Sequence, residues 1–378
     1  MASLNILHVF RAPVGGLFRH VLDLTREQVA RGHRVGIIAD SLTGDANAEK
    51  ILSELAPSLT FGLTRVAMHR KPHPGDVFVL AHVMRRIAQA GADVVHGHGA
   101  KGGAFARLAF NTRRVVRAYT PHGGSLLFNN KTSAGKIYLT IERLMMQRGD
   151  LYLFESAFSA DTFNRKIGRP NGIIRIVHNG VTRAEFEPVT PVPDATDLIF
   201  MGELRALKGI DLLIDAIGLL RRNGRTVTAT LVGAGPDRDV FHAQVKRLNL
   251  IDVIRFQPAM PARQAQTLGH VMVMPSRMES LPYVVLETAA AGKLLITTKV
   301  GGIPEIYGPL ADALVPPDDA PALARAIAGA LDQPAAAADT ARQLRDRVAA
   351  AFSVESMVDG VLAGYEAALE MLQKTRRR

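Results

Sequence analysis

Hydrophobic and polar positions along the chain follow two patterns, one typical of buried strands and one typical of amphipathic helices. The apolar run LNILHVF at 4–10 predicts a buried strand, and LFRHVLDLTREQVARGH at 17–33 has the three-and-four spacing of a helix. RVGIIAD at 34–40 predicts the next strand, and ADVVHGHG at 92–99 predicts another that leads into a helix. Strands and helices that alternate in this way predict a parallel, doubly wound α/β sheet.

The same alternation begins again after a proline-rich connection at 183–196. DLIFMGEL at 197–204 predicts a strand, and GIDLLIDAIGLLRRNG at 209–224 predicts the helix that follows it. We therefore expect two Rossmann-like domains with a cleft between them, the first over 1–185 and the second over 186–355. The last predicted helix, about 356–378, has an apolar stripe of Met357, Val358, Val361, Leu362, Tyr365, Leu369 and Leu372.

Length and composition agree with two globular domains. The chain has 378 residues, 47% of them hydrophobic and 21% charged, and no apolar run approaches the ~18–20 residues that span a bilayer. The first ten residues lack the features of a secretory signal, so we expect a cytoplasmic protein. Cysteine is absent, which excludes disulfides, thiolate metal sites and cysteine nucleophiles.

The net charge of +11 is spread unevenly over the two halves. Residues 1–185 hold 25 Lys and Arg against 13 Asp and Glu, whereas residues 186–378 hold 21 against 22. This asymmetry indicates that the first half faces an anionic partner, such as an acidic membrane surface, a lipid-linked phosphate or nucleic acid. A solvated cationic surface without a specific partner is the alternative.

The chemically interesting residues follow predicted strands, where open α/β sheets bind their ligands. Gly15 and Gly16 come after the first strand, and His122 stands in the turn TPHGGS. Arg205 and Lys208 follow the strand at 197–204, three positions apart, where they would add fixed positive charge. Glycine-rich loops at such positions supply backbone N–H groups for phosphate.

Several familiar motifs are absent or weak. The chain has no P-loop sequence, and the G-x-G of VGAGP lacks its third glycine, so we interpret it as a tight turn into a helix. His96-x-His98 offers two metal ligands without an evident third. Asp237-x-Asp239 lies where acids suit the first turn of a helix without any metal. We expect no metal and no cofactor.

The segment MESLPYVVLETAAAG at 278–292 carries two glutamates, Glu279 and Glu287, with seven residues between them. Pro282 suits the first turn of a helix, which places Glu279 in the preceding loop and Glu287 within the helix. The apolar flanks argue against a merely solvated pair of acids.

Five segments together closely resemble glycosyltransferase family 4: GGLFRHVLDLTREQVARGHRV, TPHGGS, GELRALKGIDLLIDAI, VGAGP and ESLPYVVLETAAAGKLLITTKVGGIPE. The resemblance extends over nearly the whole chain in the right order. It implies a retaining, metal-independent enzyme of the two-domain fold called GT-B, with the last helix crossing back to the N-terminal domain. It also implies an acceptor-binding N-terminal domain and a donor-binding C-terminal domain.

The resemblance implies roles for residues of the second half. Glu287 would bind the ribose of a nucleotide, and Glu279 would approach the hydroxyl groups of the donor sugar. Arg205 and Lys208 would neutralise the leaving diphosphate. Backbone N–H groups where the helix begins would face the sugar and the diphosphate, in the segment Ser280, Leu281, Pro282 and Tyr283.

In the first half, the resemblance places Gly15 and Gly16 beside the phosphate or the acceptor, and His122 near the donor sugar or the leaving phosphate. No side chain stands out as a covalent nucleophile. Retention in the family is usually explained by attack on the same face of the sugar, with the leaving phosphate taking the acceptor's proton.

The leading hypothesis is transfer from a nucleotide-diphosphate sugar to a lipid-linked or saccharide acceptor in cell-surface polysaccharide or lipopolysaccharide assembly, on the inner face of the cytoplasmic membrane. The alternatives are a soluble synthase with a small sugar-phosphate acceptor and a catalytically silent nucleotide-sugar-binding module. Nucleic-acid binding ranks last, because the chain has no Trp and only 6% aromatic residues. The cations proposed for an anionic lipid surface are Lys101, Arg107, Arg113, Arg114, Arg117, Lys131, Lys136, Arg143 and Arg148.

Overall fold

The computed structural model describes residues 3–110, 115–127 and 132–376, which fall into two compact units. The N-terminal unit comprises Met1–Asn179 together with Val354–Arg378, and the C-terminal unit comprises Gly180–Ser353. The division after Asn179 lies a few residues before the boundary at 185 that the proline-rich connection suggested.

The N-terminal unit is built on a parallel sheet of seven strands in the order β3-β2-β1-β4-β5-β6-β7. The strands are β1 (Asn5–Phe10), β2 (Arg34–Asp40), β3 (Leu63–Val66), β4 (Val94–His98), β5 (Val116–Thr120), β6 (Leu151–Phe154) and β7 (Ile173–Ile176). The helices between them are α1 (Gly15–Ala30), α2 (Ala46–Leu55), α3 (Asp76–Ala90), α4 (Gly99–Leu108), α5 (Ser133–Met145) and α6 (Ala157–Lys166).

The C-terminal unit has a parallel sheet of five strands in the order β10-β9-β8-β11-β12. Its strands are β8 (Thr196–Met201), β9 (Ala229–Val232), β10 (Ile254–Gln257), β11 (Gly269–Met274) and β12 (Leu294–Thr297). Its helices are α7 (Ile210–Arg222), α8 (Arg238–Arg247), α9 (Ala262–Gln266), α10 (Tyr283–Ala290), α11 (Ile303–Tyr307), α12 (Ala320–Asp332) and α13 (Pro334–Ala351). The prediction of two parallel α/β sheets is confirmed.

Local sequence explains where several helices begin. Asp45 caps α2 by accepting a hydrogen bond from the Ala48 N–H, and Thr132, Ser156 and Asp319 cap α5, α6 and α12 in the same way. Each capping side chain accepts a hydrogen bond from a backbone N–H that has no partner within the first turn of the helix. Each such cap stabilises its helix by about 1 kcal/mol.

The last helix, α14 (Val354–Arg376), packs on the sheet of the N-terminal unit, as expected. Its predicted stripe is the buried face: Val358, Val361 and Leu362 lie in one apolar cluster with Leu151 and Val177. Gly360 lets the helix approach closely, because a Cβ there would come within 3.0 Å of the Val177 side chain. Among the described helices, none is both long and apolar enough to cross a membrane.

Candidate functional site

The loop after β8 presents the two predicted diphosphate ligands of the C-terminal unit. Arg205 precedes a short 3-10 helix, Ala206–Lys208, and Gly209 then begins α7 with a φ of 70°. A Cβ at Gly209 would lie 1.9 Å from the Pro275 carbonyl oxygen. Only glycine therefore lets this loop meet the loop that follows β11, the neighbouring strand.

That close approach joins Lys208 to Glu279. The Lys208 Nζ lies 2.6 Å from the Glu279 Oε1, and the Ser276 hydroxyl donates to the same oxygen at 2.7 Å. Glu279 is only 8% exposed. A buried carboxylate held by one cation and one hydroxyl is stable only while both partners are present, because an unpaired charge at this depth is strongly unfavourable. The guanidinium of Arg205 is by contrast 44% exposed and lies 3.6 Å from the Glu203 carboxylate.

Arg277, which sequence reasoning missed, ties these two loops together. Its guanidinium makes two bonds of 2.7 Å to the Asp211 carboxylate, and a third bond of 2.7 Å reaches Asp318. Its backbone N–H donates to the Leu207 carbonyl at 2.9 Å. The hydrogen bonds to Asp211 are the main cause of a raised pKa at Arg277. Sequence holds no signal for this contact beyond the position of Arg277 two residues before Glu279.

The start of α10 agrees with the predicted helix around Pro282, which is its N-cap. Leu281 and Tyr283 are buried, and the Gly302 N–H donates to the Ser280 carbonyl at 2.7 Å. Glu287 is half-buried on α10 itself. The structure thus places both glutamates in one unit, Glu279 in the loop and Glu287 on the helix.

Three further glycines allow loops to pack against the site. A Cβ at Gly301 would lie 1.9 Å from the Glu279 carbonyl oxygen. A Cβ at Gly233 would lie 1.9 Å from the Gly202 carbonyl oxygen, and one at Gly235 would lie 2.3 Å from the Leu204 carbonyl oxygen. The G-x-G of VGAGP is therefore more than a tight turn, since it lets the loop after β9 pack on the loop that carries Arg205 and Lys208.

In the N-terminal unit, Gly15 begins α1 with a φ of 63°. A Cβ there would meet no atom of the described residues within 4 Å. Val14 at the N-cap makes no side-chain bond to the helix, so the first-turn N–H groups of Gly15 and Gly16 are not capped by that side chain.

His122 lies after β5 in a left-handed conformation, with a φ of 51°. The Gly123 N–H donates to the buried Glu155 carboxylate at 3.0 Å and fixes the turn. His122 Nε2 lies 3.1 Å from His98 Nδ1. Burial, and then the neighbouring His20, keep the pKa of His122 well below its usual value, so the imidazole is neutral at pH 7.

His122 is one of five histidines that the strand order brings together. His8 on β1, His96 and His98 on β4, and His20 on α1 are the others, all buried. Burial lowers the pKa of His8 and of His20 to about 4. Sequence reasoning singled out His96 and His98 but missed His8 and His20, whose only signal was a place in the first strand and helix.

Two cavities adjoin in the N-terminal unit. One of about 220 Å³ has His122 and His98 in its wall, with Arg11, Arg70 and Lys101. The other, of about 310 Å³, is lined mainly by apolar side chains of α3, α4 and α5: Val77, Leu80, Phe105, Leu108, Ile141 and Met145. Arg70, Ala100, Lys101 and Tyr138 line both.

The predicted lipid-facing cations do not form one exposed surface. Arg107 is fully buried, with its Nη1 2.6 Å from the Glu142 carboxylate and its guanidinium 3.9 Å from the centre of the Tyr119 ring, so the prediction for Arg107 is wrong. Lys101 and Arg117 form ion pairs with Asp76 and Asp150. Lys136, Arg143 and Arg148 are exposed, whereas Arg113, Arg114 and Lys131 lie outside the described residues.

Comparisons with known proteins agree with this architecture. The family model described as Glycosyltransferase Family 4 matches residues 14–185, and the model described as Glycosyl transferases group 1 matches residues 182–348. The glycogen synthase of Mycobacterium tuberculosis is 26% identical over 346 residues, which cover 84% of this chain and 83% of that protein. The putative colanic acid biosynthesis glycosyltransferase WcaL of Escherichia coli is 27% identical over 236 residues, 59% of this chain and 53% of WcaL.

Among solved structures, the crystal structure of Anabaena Alr3699/HepE in complex with UDP and glucose is similar, with a TM-score of 0.79. It is 18% identical, and the match covers 96% of this chain and 99% of that chain.

The fold and these matches define a glycosyltransferase of the GT-B type. The predictions of a glycosyltransferase and of the GT-B fold are confirmed. The roles of Glu279 and Glu287, the retaining stereochemistry and the independence from metal stay predictions.

Proposed function

We propose that this protein is a retaining, metal-independent hexosyltransferase. It transfers a sugar from a nucleotide-diphosphate sugar to a lipid-linked or saccharide acceptor in cell-surface polysaccharide or lipopolysaccharide assembly. The contact that carries the donor half of this proposal is the Lys208–Glu279 pair, 2.6 Å apart at the carboxyl edge of the smaller sheet. Two similar proteins support the donor and the pathway class: the Anabaena Alr3699/HepE structure contains UDP and glucose, and WcaL is a putative colanic acid biosynthesis glycosyltransferase.

The pair suggests how the donor is received. Lys208 and Ser276 fix the orientation of the Glu279 carboxylate, which can then accept hydrogen bonds from sugar hydroxyls. Lys208 and the more exposed Arg205 offset the charge that grows on the diphosphate as the bond to the sugar breaks, the task that a divalent cation performs in other enzymes. Glu287 accepts hydrogen bonds from the ribose hydroxyls.

In the transfer step, the bond from the sugar's anomeric carbon to the diphosphate oxygen breaks, and a bond to the acceptor oxygen forms on the same face. The leaving diphosphate takes the acceptor's proton. His122, neutral at pH 7, donates or accepts a hydrogen bond near the sugar without adding charge.

The acceptor half of the proposal rests on the two adjoining cavities of the N-terminal unit. A cavity with cationic walls beside His122 suits a phosphate or sugar headgroup, and the neighbouring apolar cavity suits a hydrocarbon chain. This shared wall favours a lipid-linked acceptor over a small soluble sugar phosphate, which would leave the apolar cavity unfilled.

Exposed apolar side chains on α3 and α5, two of the helices that line the apolar cavity, suit peripheral contact with the inner face of the cytoplasmic membrane. Val77 and Phe78 on α3 are 70% and 79% exposed, and Ile137 and Leu144 on α5 are 57% and 74% exposed. Ile137 and Leu144 are seven residues apart and therefore share one side of their helix. We assign the membrane-facing surface to these exposed side chains, because Arg107 is buried.

The donor site is tested by thermal unfolding with UDP-, GDP-, ADP- and TDP-sugars in EDTA. A ligand at 100 times its dissociation constant adds about 2.7 kcal/mol of stability. We expect one nucleotide class to raise the unfolding temperature, and Glu287→Ala to lose that rise. Glu370→Ala, an exposed acid on α14, serves as the matched control. Absence of a rise with every nucleotide sugar contradicts the proposal, and a rise without turnover favours the silent binding module.

Membrane contact is tested by sedimentation with anionic liposomes at low salt. Phe78→Ser and Leu144→Ser should each weaken liposome binding about 10–100-fold, since each removes an apolar side chain whose burial contributes about 1.5–3 kcal/mol. Ile251→Ser changes a side chain of similar exposure, 65%, in the C-terminal unit and should bind like wild type. Equal binding by all three variants contradicts this surface, and no binding by wild type favours the soluble synthase.

A further inference from the structure

Three histidines of the N-terminal unit converge on one point. Ring nitrogens of His20, His98 and His122 all lie within 4.8 Å of one another. The closest pair, His98 Nδ1 and His122 Nε2, is 3.1 Å apart, and the rings of His20 and His122 have centroids 4.6 Å apart. Two nitrogens that bind one Zn²⁺ at about 2.0–2.1 Å in a tetrahedral site lie roughly 3.4 Å from each other. Small side-chain movements therefore suffice to bring all three nitrogens to one ion.

One of these nitrogens has no partner among the described residues. His20 is 2% exposed, and its Nε2 is buried without a hydrogen bond. Its other nitrogen, Nδ1, lies 3.0 Å from the side-chain oxygen of Asn179. An amide oxygen only accepts, so Nδ1 carries the proton of the neutral ring and Nε2 holds a lone pair. His20 thus has a buried lone pair on a ring whose centroid lies 4.6 Å from that of His122 and 5.7 Å from that of His98, an arrangement that suits a metal ligand.

Hydrogen bonds through His8 fix the tautomer of His98 in the same way. His8 Nε2 lies 2.8 Å from the Gln28 side-chain oxygen, so it donates, and His8 Nδ1 is left to accept from His98 Nε2 at 2.9 Å. His98 Nδ1 then also holds a lone pair, directed at His122. Metal-binding histidines usually donate their second nitrogen to an outer acceptor, which fixes the tautomer.

The second histidine triplet of the described chain differs in this respect. His8, His96 and His98 also bring ring nitrogens within 4.8 Å. However, His96 bonds the Tyr365 hydroxyl and the Thr120 hydroxyl at 2.8 Å each, so both of its nitrogens have partners. This triplet is a satisfied hydrogen-bonded cluster and carries no site.

We propose that His20, His98 and His122 form a transition-metal site that binds one Zn²⁺ ion, with the fourth position open to the cavity beside Arg11 and Lys101. Binding breaks the hydrogen bond between His98 and His122, and the proton on His122 Nε2 moves to Nδ1 of the same ring. Binding also fixes the ring of His122. If His122 contacts the donor sugar, as the proposed function holds, Zn²⁺ at this site inhibits transfer, and catalysis itself still requires no metal.

The test uses the untagged full-length protein with Co²⁺ as a spectroscopic stand-in for Zn²⁺. We expect one equivalent of Co²⁺ to give the intense visible absorption of a tetrahedral ion, which Zn²⁺ then abolishes by displacement. His20→Ala should lose the tight binding. Asn179→Ala, which removes the hydrogen-bond acceptor of His20 Nδ1, should weaken the binding about 10–100-fold.

The control is His73→Ala. His69 and His73 lie outside the triplet, with ring centroids 3.8 Å apart, and are the pair of neighbouring imidazoles chosen to test for binding elsewhere. The absorption should be unchanged in His73→Ala. If His73→Ala loses it and His20→Ala keeps it, or if wild type shows only weak octahedral Co²⁺, the proposed site is wrong.

Two further measurements keep the outcome clear. Circular dichroism checks that His20→Ala is folded, and His122→Ala replaces it if it is not. The nucleotide-sugar thermal shift is measured in EDTA and does not involve the metal, so failure of the donor proposal and failure of the metal site are seen separately.

Discussion

The close approach of Gly209 to Pro275 predicts an unequal response at the two ends of α7. Gly209 begins the helix at a φ of 70°, and Gly224 follows its end at a φ of 80°. An added Cβ at Gly209 would lie 1.9 Å from the Pro275 carbonyl oxygen, whereas one at Gly224 would meet no described atom within 4 Å. Gly209→Ala and Gly224→Ala therefore share the backbone strain and differ in the collision.

The expected magnitudes follow from these two contributions. A left-handed alanine costs about 1–2 kcal/mol, and this is the whole loss of unfolding free energy expected for Gly224→Ala. Gly209→Ala adds the displacement of backbone in a packed region, typically about 1–3 kcal/mol. We expect Gly209→Ala to lose roughly 2–5 kcal/mol in all.

The assay is urea unfolding of both variants and wild type, with the transition of the C-terminal unit fitted separately because the two units need not unfold together. Gly209→Ala also moves Lys208, the adjacent residue, so it should lose the nucleotide-sugar thermal shift while Gly224→Ala keeps it. Equal urea midpoints for the two variants would refute the inferred contact between the loops after β8 and β11.

Two further predictions concern buried cations. Arg107→Met leaves the Glu142 carboxylate buried without its cation and should lower the free energy of unfolding in urea by about 3–5 kcal/mol. Combining it with Glu142→Leu should recover most of that loss. A loss below ~1 kcal/mol in Arg107→Met alone would contradict the buried pair. Burial lowers the pKa of Lys293 from 10.5 to about 8, so between pH 8 and 10.5 the unfolded chain binds more protons at this residue and the contribution of Lys293 to stability rises with pH. Lys293→Met should therefore have a higher free energy of unfolding than wild type, by an amount that is constant below pH 8 and decreases between pH 8 and pH 10.5. A difference in unfolding free energy that does not change with pH would contradict the burial of a charged lysine.

Much of the architecture was predictable from the sequence because it depends on local periodicity. Apolar runs such as the one at 4–10 became central strands, and the stripe on the last helix became the buried face of α14. The predicted order of strands and helices places Arg205, Lys208 and Glu279 at carboxyl ends of strands. The spacing of apolar side chains and the succession of strands and helices along the chain are both contained in the sequence.

The contacts that define the candidate site were decided by the tertiary structure. Lys208 and Glu279 are 71 residues apart, and they meet because β8 and β11 are adjacent and Gly209 removes the Cβ that would separate the loops. His20 and His98 come together because β1 pairs with β4 and α1 returns over the sheet.

Arg107 shows the same limit from the opposite side. The sequence predicts an exposed guanidinium at Arg107, and only the packing of α4 against α5 buries it beside Glu142. A sequence pattern records which face of its own helix or strand a residue occupies. Which distant side chain fills the space opposite depends on strand adjacency and close packing, and these arise only when the whole chain has folded.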